Sequence, residues 1–311
     1  MTDTVLVTGG AGFIGSHLCD ALLRAGRRVR VLDDLSTGSR SNLSGDVELI
    51  EGDVADRATV ARALDGVVAC CHLAAIASVE RGVRDWPGTH RVNLTGTVVL
   101  LDAVRVRPIP VVYASSAAVY GDCQDLPLDE DAVKRPLSAY GADKYGCELH
   151  AAVAARVHDV PTTGLRFFNV YGPRQDPQSP YSGVISIFCD RLARGAPVEI
   201  YGDGRQTRDF IYVADVVQAL LRALDRRVAE PQVFNVCSGI PVSVLDLARE
   251  VADLAGTPLQ SCFRPARAGE IRHSVGSPAR ARAALDLSET TALRAGLGAV
   301  LGWLSQSRAG D

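Results

Sequence analysis

The beginning of the chain constrains the fold more than any other stretch. "TVLVT" is a short apolar run, "FIGSHLCDALLRAG" has the apolar spacing of an amphipathic helix, and "RRVRVLDD" is a second apolar run. Where the first run passes into the helix lie Gly9, Gly12 and Gly15, spaced as G-x-x-G-x-x-G. A strand and a glycine-rich turn, followed by a helix and a second strand, predict a parallel β-α-β unit.

Glycines at this spacing allow the backbone to approach a pyrophosphate, and the helix N-terminus supplies amide donors and a favourable dipole. A glycine-rich turn without a ligand is the alternative. Asp33 ends the second run about 20 residues beyond the glycines, where an acid can bind the hydroxyls of an adenosine ribose. Asp34 follows, and a 2′-phosphate would meet negative charge there. We therefore expect NAD and not NADP.

The alternation of strands and helices continues with "VELIEGD", "VVACCHLAA", "IPVVYASS" and "PTTGLRFFNVYG". Continuous apolar strands separated by helices predict an α/β fold, a Rossmann-like doubly wound parallel sheet covered on both faces. Turn-rich sequence begins after residue 172. We expect an NAD-binding domain of residues 1–172 that regains about 213–236, and a smaller C-terminal substrate-binding lobe formed by the remainder of 173–311.

Composition excludes several classes of protein. The net charge is −3 with scattered basic residues, so neither nucleic acid nor an anionic membrane surface is an expected partner. The apolar run from Val67 to Val79 is too short to span a bilayer. Eight cysteines without a C-x-x-C pair, and six histidines without ligand spacing, argue against a disulfide framework and against a metal site. The sequence predicts a cytoplasmic protein.

"PLSAYGADKYGCE" places Tyr140 four residues before Lys144. Positions i and i+4 share one face of a helix. A nearby cation lowers the pKa of a phenol, which could then serve as a base near neutral pH. A solvated helix face without a catalytic role is the alternative reading of this pair.

A family resemblance rests on motifs that occur in a fixed order: "TGGAGFIGSH", "HLAA", "NLTGT", "SSAAVYG", "YGADK", "LRFFNVYGP" and "YGDGRQTRDFIYVADVVQA". Over essentially its whole length the chain resembles the extended short-chain dehydrogenases/reductases of the NAD-dependent nucleotide-sugar epimerase/dehydratase group. Within that group it is most similar to UDP-glucose and UDP-N-acetylglucosamine 4-epimerases. The resemblance implies that Tyr140 is the catalytic base.

The resemblance also implies the partners of that base. Lys144 would bind the nicotinamide ribose and, with the positive nicotinamide ring, lower the pKa of Tyr140. Ser116 would hydrogen-bond the sugar 4-hydroxyl, or it could cap the backbone at the end of a strand. Asn93 would either fix the backbone beside the cofactor or contact it, and Asp53 would contact adenine or cap a helix. The full set implied for NAD is Gly9, Gly12, Phe13, Ile14, Gly15, Asp33, Asp34, Ser36, Thr37, Gly38, Asp53, Val54, Leu73, Ala74, Ala75, Asn93, Ser115, Tyr140, Lys144 and Phe167.

A second set of residues matches the family's substrate site. Asn169 would bind the sugar diphosphate, and Arg208 and Arg267 would clamp it, although either arginine could instead form a surface ion pair. Glu199 and Tyr201 lie where the family binds uracil, which implies a UDP-sugar. The remaining residues implied for the substrate are Ser78, Ser116, Ala117, Tyr140, Gly183, Val184, Glu270 and Ser274.

The reaction is predicted from what the motif lacks. Related dehydratases and decarboxylases carry carboxylates before "VYG", in the style of "TDEVYG", whereas this chain has Ala117 and Ala118 there. Without an acid to remove a C5 proton, oxidation and re-reduction at one carbon remain, which is epimerisation. Some galactose-type epimerases have a lysine where this chain has Ala77, so one cofactor contact is in doubt.

The sugar is predicted from one position. In this family a residue shortly after the second diphosphate arginine forms a wall around the C2 substituent, and Ser274 falls there. A small side chain admits an N-acetyl group, so we expect interconversion of UDP-N-acetylglucosamine and UDP-N-acetylgalactosamine, together with UDP-glucose and UDP-galactose. Ser274 could instead be an ordinary turn serine. The alternatives are an epimerase restricted to plain hexoses, a UDP-hexuronate 4-epimerase, and a non-catalytic dinucleotide-binding redox sensor.

The helical stretches "TVVLLDAVRV" and "KYGCELHAAVAARVHD" have apolar stripes. The resemblance implies that they form a homodimer through a four-helix bundle. The alternative is that both stripes face the sheet.

Overall fold

The computed structural model describes residues 3–77, 79–178, 183–226, 228–266 and 271–309. The strands in these residues are β1 Thr4–Thr8, β2 Arg28–Asp33, β3 Glu48–Glu51, β4 Val67–His72, β5 Val111–Ser116, β6 Thr162–Phe167, β7 Asn169–Tyr171, β8 Val198–Tyr201, β9 Thr207–Tyr212, β10 Gln232–Val236, β11 Pro241–Ser243 and β12 Ser261–Arg264. The helices are α1 Phe13–Arg24, α2 Arg57–Leu64, α3 Val79–Arg84, α4 Trp86–His90, α5 Gly96–Val104, α6 Ala139–His158, α7 Val184–Leu192, α8 Val213–Asp225, α9 Val244–Ala255, α10 Ala279–Leu285 and α11 Leu293–Ala309.

Seven strands form one sheet in the order β10-β6-β5-β4-β1-β2-β3. All of its pairings are parallel. The chain winds outwards from β1 to β3, then returns to the other side of β1 and continues through β4, β5 and β6. In such sheets ligands bind at the carboxyl ends of the strands, at the point where the strand order reverses. The predicted Rossmann-like fold is confirmed.

Alternating side chains of β1 bury both faces of the sheet. Val5 and Val7 pack in one core with Leu18 of α1, whereas Leu6 packs in the opposite core with Leu100 of α5. A strand covered on both faces must be apolar at every position, which explains why "VLV" shows no polar alternation. Helices on both faces thereby hold the ends of β1 and α1, and the glycine turn between them, in a fixed place.

A second lobe contains two small sheets. One has the order β11-β9-β7 and the other pairs β12 with β8. The lobe has its own core, in which Phe188 of α7, Leu247 of α9 and Leu297 of α11 are buried together. Its strands β7 and β9 run parallel to each other. The short β7 follows directly on β6 of the large sheet, so the second lobe is attached at the carboxyl end of that strand.

Later parts of the chain return to the first lobe. β10 extends the large sheet beside β6. Leu220 of α8 and Leu285 of α10 share the core that contains Leu18 of α1. We propose the division into two lobes with this return segment, and with α10 packed on the first lobe.

No helix in the described part of the chain is long and apolar enough to cross a lipid bilayer.

Candidate active site

A cleft of about 1160 Å³ runs along the carboxyl ends of β1 to β6 and continues to the second lobe. Twenty-two of the residues predicted for cofactor or substrate line it: Gly9, Gly12, Phe13, Ile14, Gly15, Asp33, Asp34, Ser36, Thr37, Asp53, Val54, Leu73, Ala74, Ala75, Ser115, Ser116, Tyr140, Lys144, Phe167, Asn169, Gly183 and Val184.

The remaining predicted residues fall into two groups. Those that the structure describes but that do not line the cleft are Gly38, Asn93, Ala117, Glu199, Tyr201, Arg208 and Ser274. Three further predicted residues, Ser78, Arg267 and Glu270, lie outside the described residues.

The glycine loop brings the backbone to the floor of the cleft. Gly9 has φ +71°, and a Cβ atom added there would lie 2.7 Å from the amide nitrogen of Ala74. A Cβ atom at Gly15 would lie 2.1 Å from the carbonyl oxygen of Gly9. Gly12 is the N-cap of α1 and offers no side-chain cap to the first turn of the helix. The amide groups of that turn therefore face the cleft, an arrangement that fits a pyrophosphate.

Asp33 at the end of β2 has a buried carboxylate that faces the loop. Its Oδ2 accepts from the amide of Ala11 at 2.9 Å, and its Oδ1 accepts from the amide of Leu35 at 2.9 Å. Burial raises the pKa of this carboxyl, while the two backbone donors lower it. Each oxygen keeps a lone pair for a ribose hydroxyl. Asp34 accepts from the amide and hydroxyl of Ser36, so a second carboxylate stands where a 2′-phosphate would lie.

Asp53 follows β3 and is not the cap of the next helix. The side chain of Asp56 caps α2 by accepting from the amide of Thr59 at 2.7 Å. Asp53 instead closes a turn by accepting from the amide of Ala55 at 2.7 Å, and it pairs with Arg91. Of the two readings left open by the sequence, a helix cap is therefore excluded for Asp53.

The catalytic candidates lie where β5 and α6 meet the cleft. Lys144 is only 3% exposed, and its Nζ donates to the carbonyl of Ala114 at 2.9 Å. The same Nζ lies 5.9 Å from the ring centroid of Tyr140. Ser138 caps α6 by accepting from the amide of Gly141 at 3.1 Å, so the tyrosine lies in the first turn. A cation is thereby fixed beside the phenol of Tyr140.

Ser116 performs the backbone role that the sequence left open. Its Oγ accepts from the amide of Ala118 at 3.2 Å and caps a short 3₁₀ helix, Ala117–Val119. Because the amide donates this bond, the hydroxyl hydrogen of Ser116 is still available to a ligand in the cleft. Capping and substrate binding are therefore compatible.

A buried ion pair supports the strand that carries these serines. Ser115 Oγ donates to Glu148 Oε1 at 2.5 Å, and Arg166 Nη2 lies 2.7 Å from Glu148 Oε2. Both charged side chains are less than one-tenth exposed. Since Glu148 lies one turn beyond Lys144 on α6, the pair fixes α6 against β5 and β6.

Asn93 acts on the backbone of the loop that follows β4. It is 1% exposed, its Oδ1 accepts from the amide of Ile76 at 2.7 Å, and its Nδ2 donates to the Ile76 carbonyl at 3.2 Å. Ile76 itself lines the cleft. Asn93 lies in a π-helical segment between α4 and α5, a distortion that often occurs at functional sites.

His72, at the end of β4, also holds the strand ends at this part of the site in place. Its ring nitrogens lie 2.7 Å from Thr8 Oγ1 and 3.0 Å from Thr97 Oγ1. Burial, with a smaller contribution from the charge of Lys144, lowers the pKa of His72 to about 3. The imidazole is therefore neutral at physiological pH and connects β1 to α5.

The nucleotide end of the site has a different character. Glu199 pairs with Arg264 at 2.8 Å on the neighbouring strand. Arg208 Nη1 donates to the carbonyl of Thr207 at 2.9 Å. Alternation along β9 places Arg208 on the same side as Phe210, which lines the cleft.

Comparison with known proteins identifies the group to which this arrangement belongs. The model of the "NAD dependent epimerase/dehydratase family" matches residues 5–237, which is more than half of the chain. The chain belongs to this family. The glycine loop, the acidic residue at the end of β2 and the Tyr140–Lys144 pair lie within the matched residues.

Relatives resemble the chain over nearly its full length. A UDP-glucose 4-epimerase of Mycolicibacterium smegmatis is 39% identical over 305 residues, which cover 94% of this chain and 95% of that protein. A solved UDP-glucose 4-epimerase of Thermotoga maritima, with UDP-glucose, has a TM-score of 0.95 and 34% identity, and the match covers 98% of this chain and 99% of that one.

A UDP-N-acetylglucosamine 4-epimerase of Methanobrevibacter ruminantium, in complex with UDP-N-acetylmuramic acid, has a TM-score of 0.93 and 32% identity. That match covers 99% of this chain and 100% of the other. The predicted family, NAD cofactor and epimerase class are confirmed.

The NAD-dependent epimerase fold brings further residues to the cleft that sequence reasoning missed. Arg174 and Gln175 line it, directly after the motif "LRFFNVYGP" that could have led to them. Arg174 has φ +67° and donates from Nη2 to Asp20 at 2.7 Å, while its Nη1 is buried without a hydrogen-bond partner in the described structure. Trp303 of α11 also lines the cleft, and no motif marks it. In the described residues no cluster of three or more His, Cys, Asp or Glu side chains could hold a metal ion.

Proposed function

We propose that this member of the family is a UDP-sugar 4-epimerase that interconverts UDP-N-acetylglucosamine and UDP-N-acetylgalactosamine, and also UDP-glucose and UDP-galactose. The observation that carries the proposal is the buried Lys144 ammonium held beside Tyr140, with Ser116 on the same cleft. This trio can move a proton on and off one sugar hydroxyl. The intermediate is a 4-keto sugar.

Each member of the trio has a distinct task. Tyr140 removes the proton of the 4-hydroxyl and later returns it. Lys144 stabilises the phenolate by its charge, and its bond to the Ala114 carbonyl keeps the ammonium in place. Ser116 donates its hydroxyl hydrogen to the 4-oxygen while its own oxygen accepts from Ala118. Bound NAD would supply the hydride acceptor, and then the hydride donor, for C4 of the sugar.

The surroundings of Ser116 favour epimerisation over elimination. The two side chains after it are those of Ala117 and Ala118, in a 3₁₀ turn. Neither can remove a C5 proton. Elimination of water needs an additional acid and base beside the sugar, and this turn supplies neither. The remaining reaction of the 4-keto intermediate is therefore the return of hydride to C4.

The charges along the cleft favour a neutral sugar over a uronic acid. Among the described residues that line it, the lysines and arginines are Lys144 and Arg174. Lys144 bonds to a carbonyl, and Arg174 pairs with Asp20 through Nη2, while its Nη1 has no hydrogen-bond partner in the described structure. The acidic side chains that line the cleft, Asp33, Asp34, Asp53 and Asp176, outnumber these two cations, so the further carboxylate of a uronate would enter a negatively charged cleft. We therefore rank the hexuronate epimerase below the two neutral alternatives.

The choice of N-acetylated sugars rests on the predicted role of Ser274, which does not line the cleft in the described structure. It lies on a segment that runs beside β9, where its amide donates to the Thr207 carbonyl at 3.2 Å. A serine leaves the volume that an acetamido group needs, whereas an aromatic ring would occupy it, and overpacking costs about 1–3 kcal/mol.

The test supplies all four UDP-sugars to the purified protein without added NAD and follows the products by NMR. Turnover of both pairs supports the proposal, because retained cofactor is regenerated in each cycle. Turnover of only the plain hexoses, or only of a UDP-hexuronate supplied in parallel, would replace the substrate assignment. Binding of NAD with no turnover of any sugar would identify the non-catalytic sensor instead.

We also propose a homodimer that assembles through α5 and α6. Leu149, Val153 and Val157 follow one another at i, i+4 and i+8 on α6 and are 53%, 53% and 65% exposed. The alternative that the whole apolar surface of α6 faces the sheet does not account for this stripe. Light scattering should give twice the chain mass, and Val153→Glu should give the monomer. A monomeric wild type at micromolar concentration would exclude the dimer.

All eight cysteines are free thiols, which is typical of a reducing compartment, and we propose that the enzyme acts in the cytoplasm.

A further inference from the structure

Asp209 of β9 is a charged residue that the mechanism does not use. Its side chain is 0% exposed. Oδ1 accepts from the amide and the hydroxyl of Ser238, both at 2.7 Å. Oδ2 accepts from the amide of Gly239 at 2.9 Å and from the amide of Gly276 at 3.2 Å. Burial raises the pKa of this carboxyl, while the four neutral donors lower it.

These four bonds join three separate segments. They connect β9 with the turn that follows β10 and with the segment that ends at Gly276. The latter segment also bonds to the start of β9, because Thr207 donates its amide to the Arg272 carbonyl at 2.9 Å and accepts from the amide of Ser274 at 3.2 Å. Ser274 is thus held on both sides. Its own amide bonds to Thr207, and the amide of Gly276, two residues later, bonds to Asp209.

Asp209 does not itself face the cleft. Side chains alternate along β9, so Arg208 and Phe210 lie on one side and Asp209 on the other. Phe210 lines the cleft, and Ile211, on the side of Asp209, belongs to the core beneath the large sheet. Any influence of Asp209 on a ligand must therefore pass through the backbone of its neighbours.

We propose that Asp209 is a positioning residue for the substrate, which fixes the spacing between Arg208 and Ser274. The inference rests on the proposed function, in which Ser274 lies at the C2 side of the sugar, and on the prediction from the family resemblance that Arg208 binds the diphosphate. Only a carboxylate can accept all four bonds. In Asp209→Asn the amide NH₂ would face two of the four donors, whichever way the side chain is turned. The segment that carries Ser274 would then move relative to β9.

The test compares Asp209→Asn with Asp215→Asn. Asp215 is a matched control because its carboxylate also accepts from a backbone amide and a hydroxyl, those of Thr291, at 2.9 and 3.0 Å. It lies on α8, and it does not line the cleft. Three quantities are measured for each variant: bound NAD per chain, kcat and KM for the four UDP-sugars, and the dissociation constants of UDP and of a UDP-sugar.

We expect Asp209→Asn to keep its NAD and most of its kcat, and to raise the KM for UDP-sugars by roughly tenfold. UDP touches only one of the two positioned residues, so its affinity should fall less than that of the UDP-sugar. The preference between N-acetylated and plain sugars should also shrink. Asp215→Asn should change none of these ratios, even if it lowers the melting temperature.

An unchanged KM and an unchanged ratio of UDP-sugar to UDP affinity in Asp209→Asn would overturn the inference. An equal change in both variants would do the same, since it would reflect general loosening of the lobe. If Asp209→Asn does not fold, Ser238→Ala removes a single donor and must raise the KM in the same direction, and an unaltered KM there rejects the inference. A wild type that turns over none of the four sugars rejects the proposed function itself.

Discussion

The two ends of the cleft are built by different means. At the cofactor end, recognition is a property of the backbone and of residues close in sequence, as in the loop from Gly9 to Gly15 and the turn after Asp33. At the substrate end, the described side chains come from β7, α7, β9 and α11. The first end depends on local conformation, and the second depends on how distant segments are held against each other. Substitutions at the two ends should therefore have different effects on the binding of NAD and of the UDP-sugar.

Removing the proton acceptor between the two ends should have the largest effect. Tyr140→Phe should lower kcat by roughly 100- to 10,000-fold, because general acid–base catalysis is lost. Both NAD content and UDP-sugar affinity should remain near wild type. Rapid-quench measurement of product, with Tyr145→Phe on the same helix as control, separates the missing hydroxyl from a packing change. Turnover of Tyr140→Phe within a few-fold of wild type would contradict the mechanism.

A side chain that prevents the close approach of the glycine-loop backbone to the cofactor should impair only the cofactor end of the cleft. In Gly15→Ala the new Cβ atom would lie 2.1 Å from the Gly9 carbonyl oxygen, so the loop must move. We expect NAD affinity to fall by roughly tenfold to a hundredfold, with UDP affinity preserved. Gly45→Ala is the control, since its Cβ would meet no atom within 4 Å. Equal NAD content in the two variants, measured after gel filtration, would show that the loop tolerates a side chain.

A large side chain at position 274 should change only the substrate end of the cleft. Ser274→Tyr should lower kcat/KM for the N-acetylated pair by roughly tenfold or more and spare UDP-glucose and UDP-galactose. NAD content should not change. If the variant loses both pairs equally, Ser274 does not contact the C2 substituent, and the wall lies on another segment.

The smallest expected effect is on the pH dependence of stability, through His72, which supports the cofactor end of the cleft. The pKa of His72 is lowered from 6.5 to about 3 in the folded chain, so the unfolded state binds more protons between these values. The contribution of His72 to stability is therefore fully present above pH 6.5 and is lost as the pH falls towards 3, by at most about 1.4 kcal/mol per pH unit.

His72→Asn should be less stable at neutral pH because the bond to Thr8 or to Thr97 is weakened. Its urea midpoint should nevertheless fall less steeply than that of the wild type between about pH 7 and pH 5. Parallel slopes for the two proteins would mean that His72 does not titrate on unfolding in this range.

The sequence was most informative where structure is local. The strand ends at Asp33 and Ser116 could be predicted because a buried parallel sheet needs continuous apolar runs that stop at polar residues. Tyr140 and Lys144 could be placed on one helix face from their spacing alone.

Prediction was weaker where distant segments meet. The cap of α2 is Asp56 and not Asp53. The sequence could not show this, because each of the two nearby aspartates could form either a turn or a helix cap. Trp303 reaches the cleft only because α11 packs on α7 and α9, a tertiary contact without any local signal. Arg174 follows a recognised motif, yet its pairing with Asp20 of α1 joins residues far apart in the chain.

The position of Trp303 gives the protein an intrinsic optical probe. The chain has two tryptophans, and the other, Trp86, is 61% exposed on α4 and does not line the cleft. In a Trp86→Phe background the emission arises from one indole at the substrate end. Its change on adding a ligand would follow the filling of that end in real time, without a label or a coupled enzyme. Slow and fast phases of that signal would separate arrival of the ligand from the rearrangement that turns the sugar over.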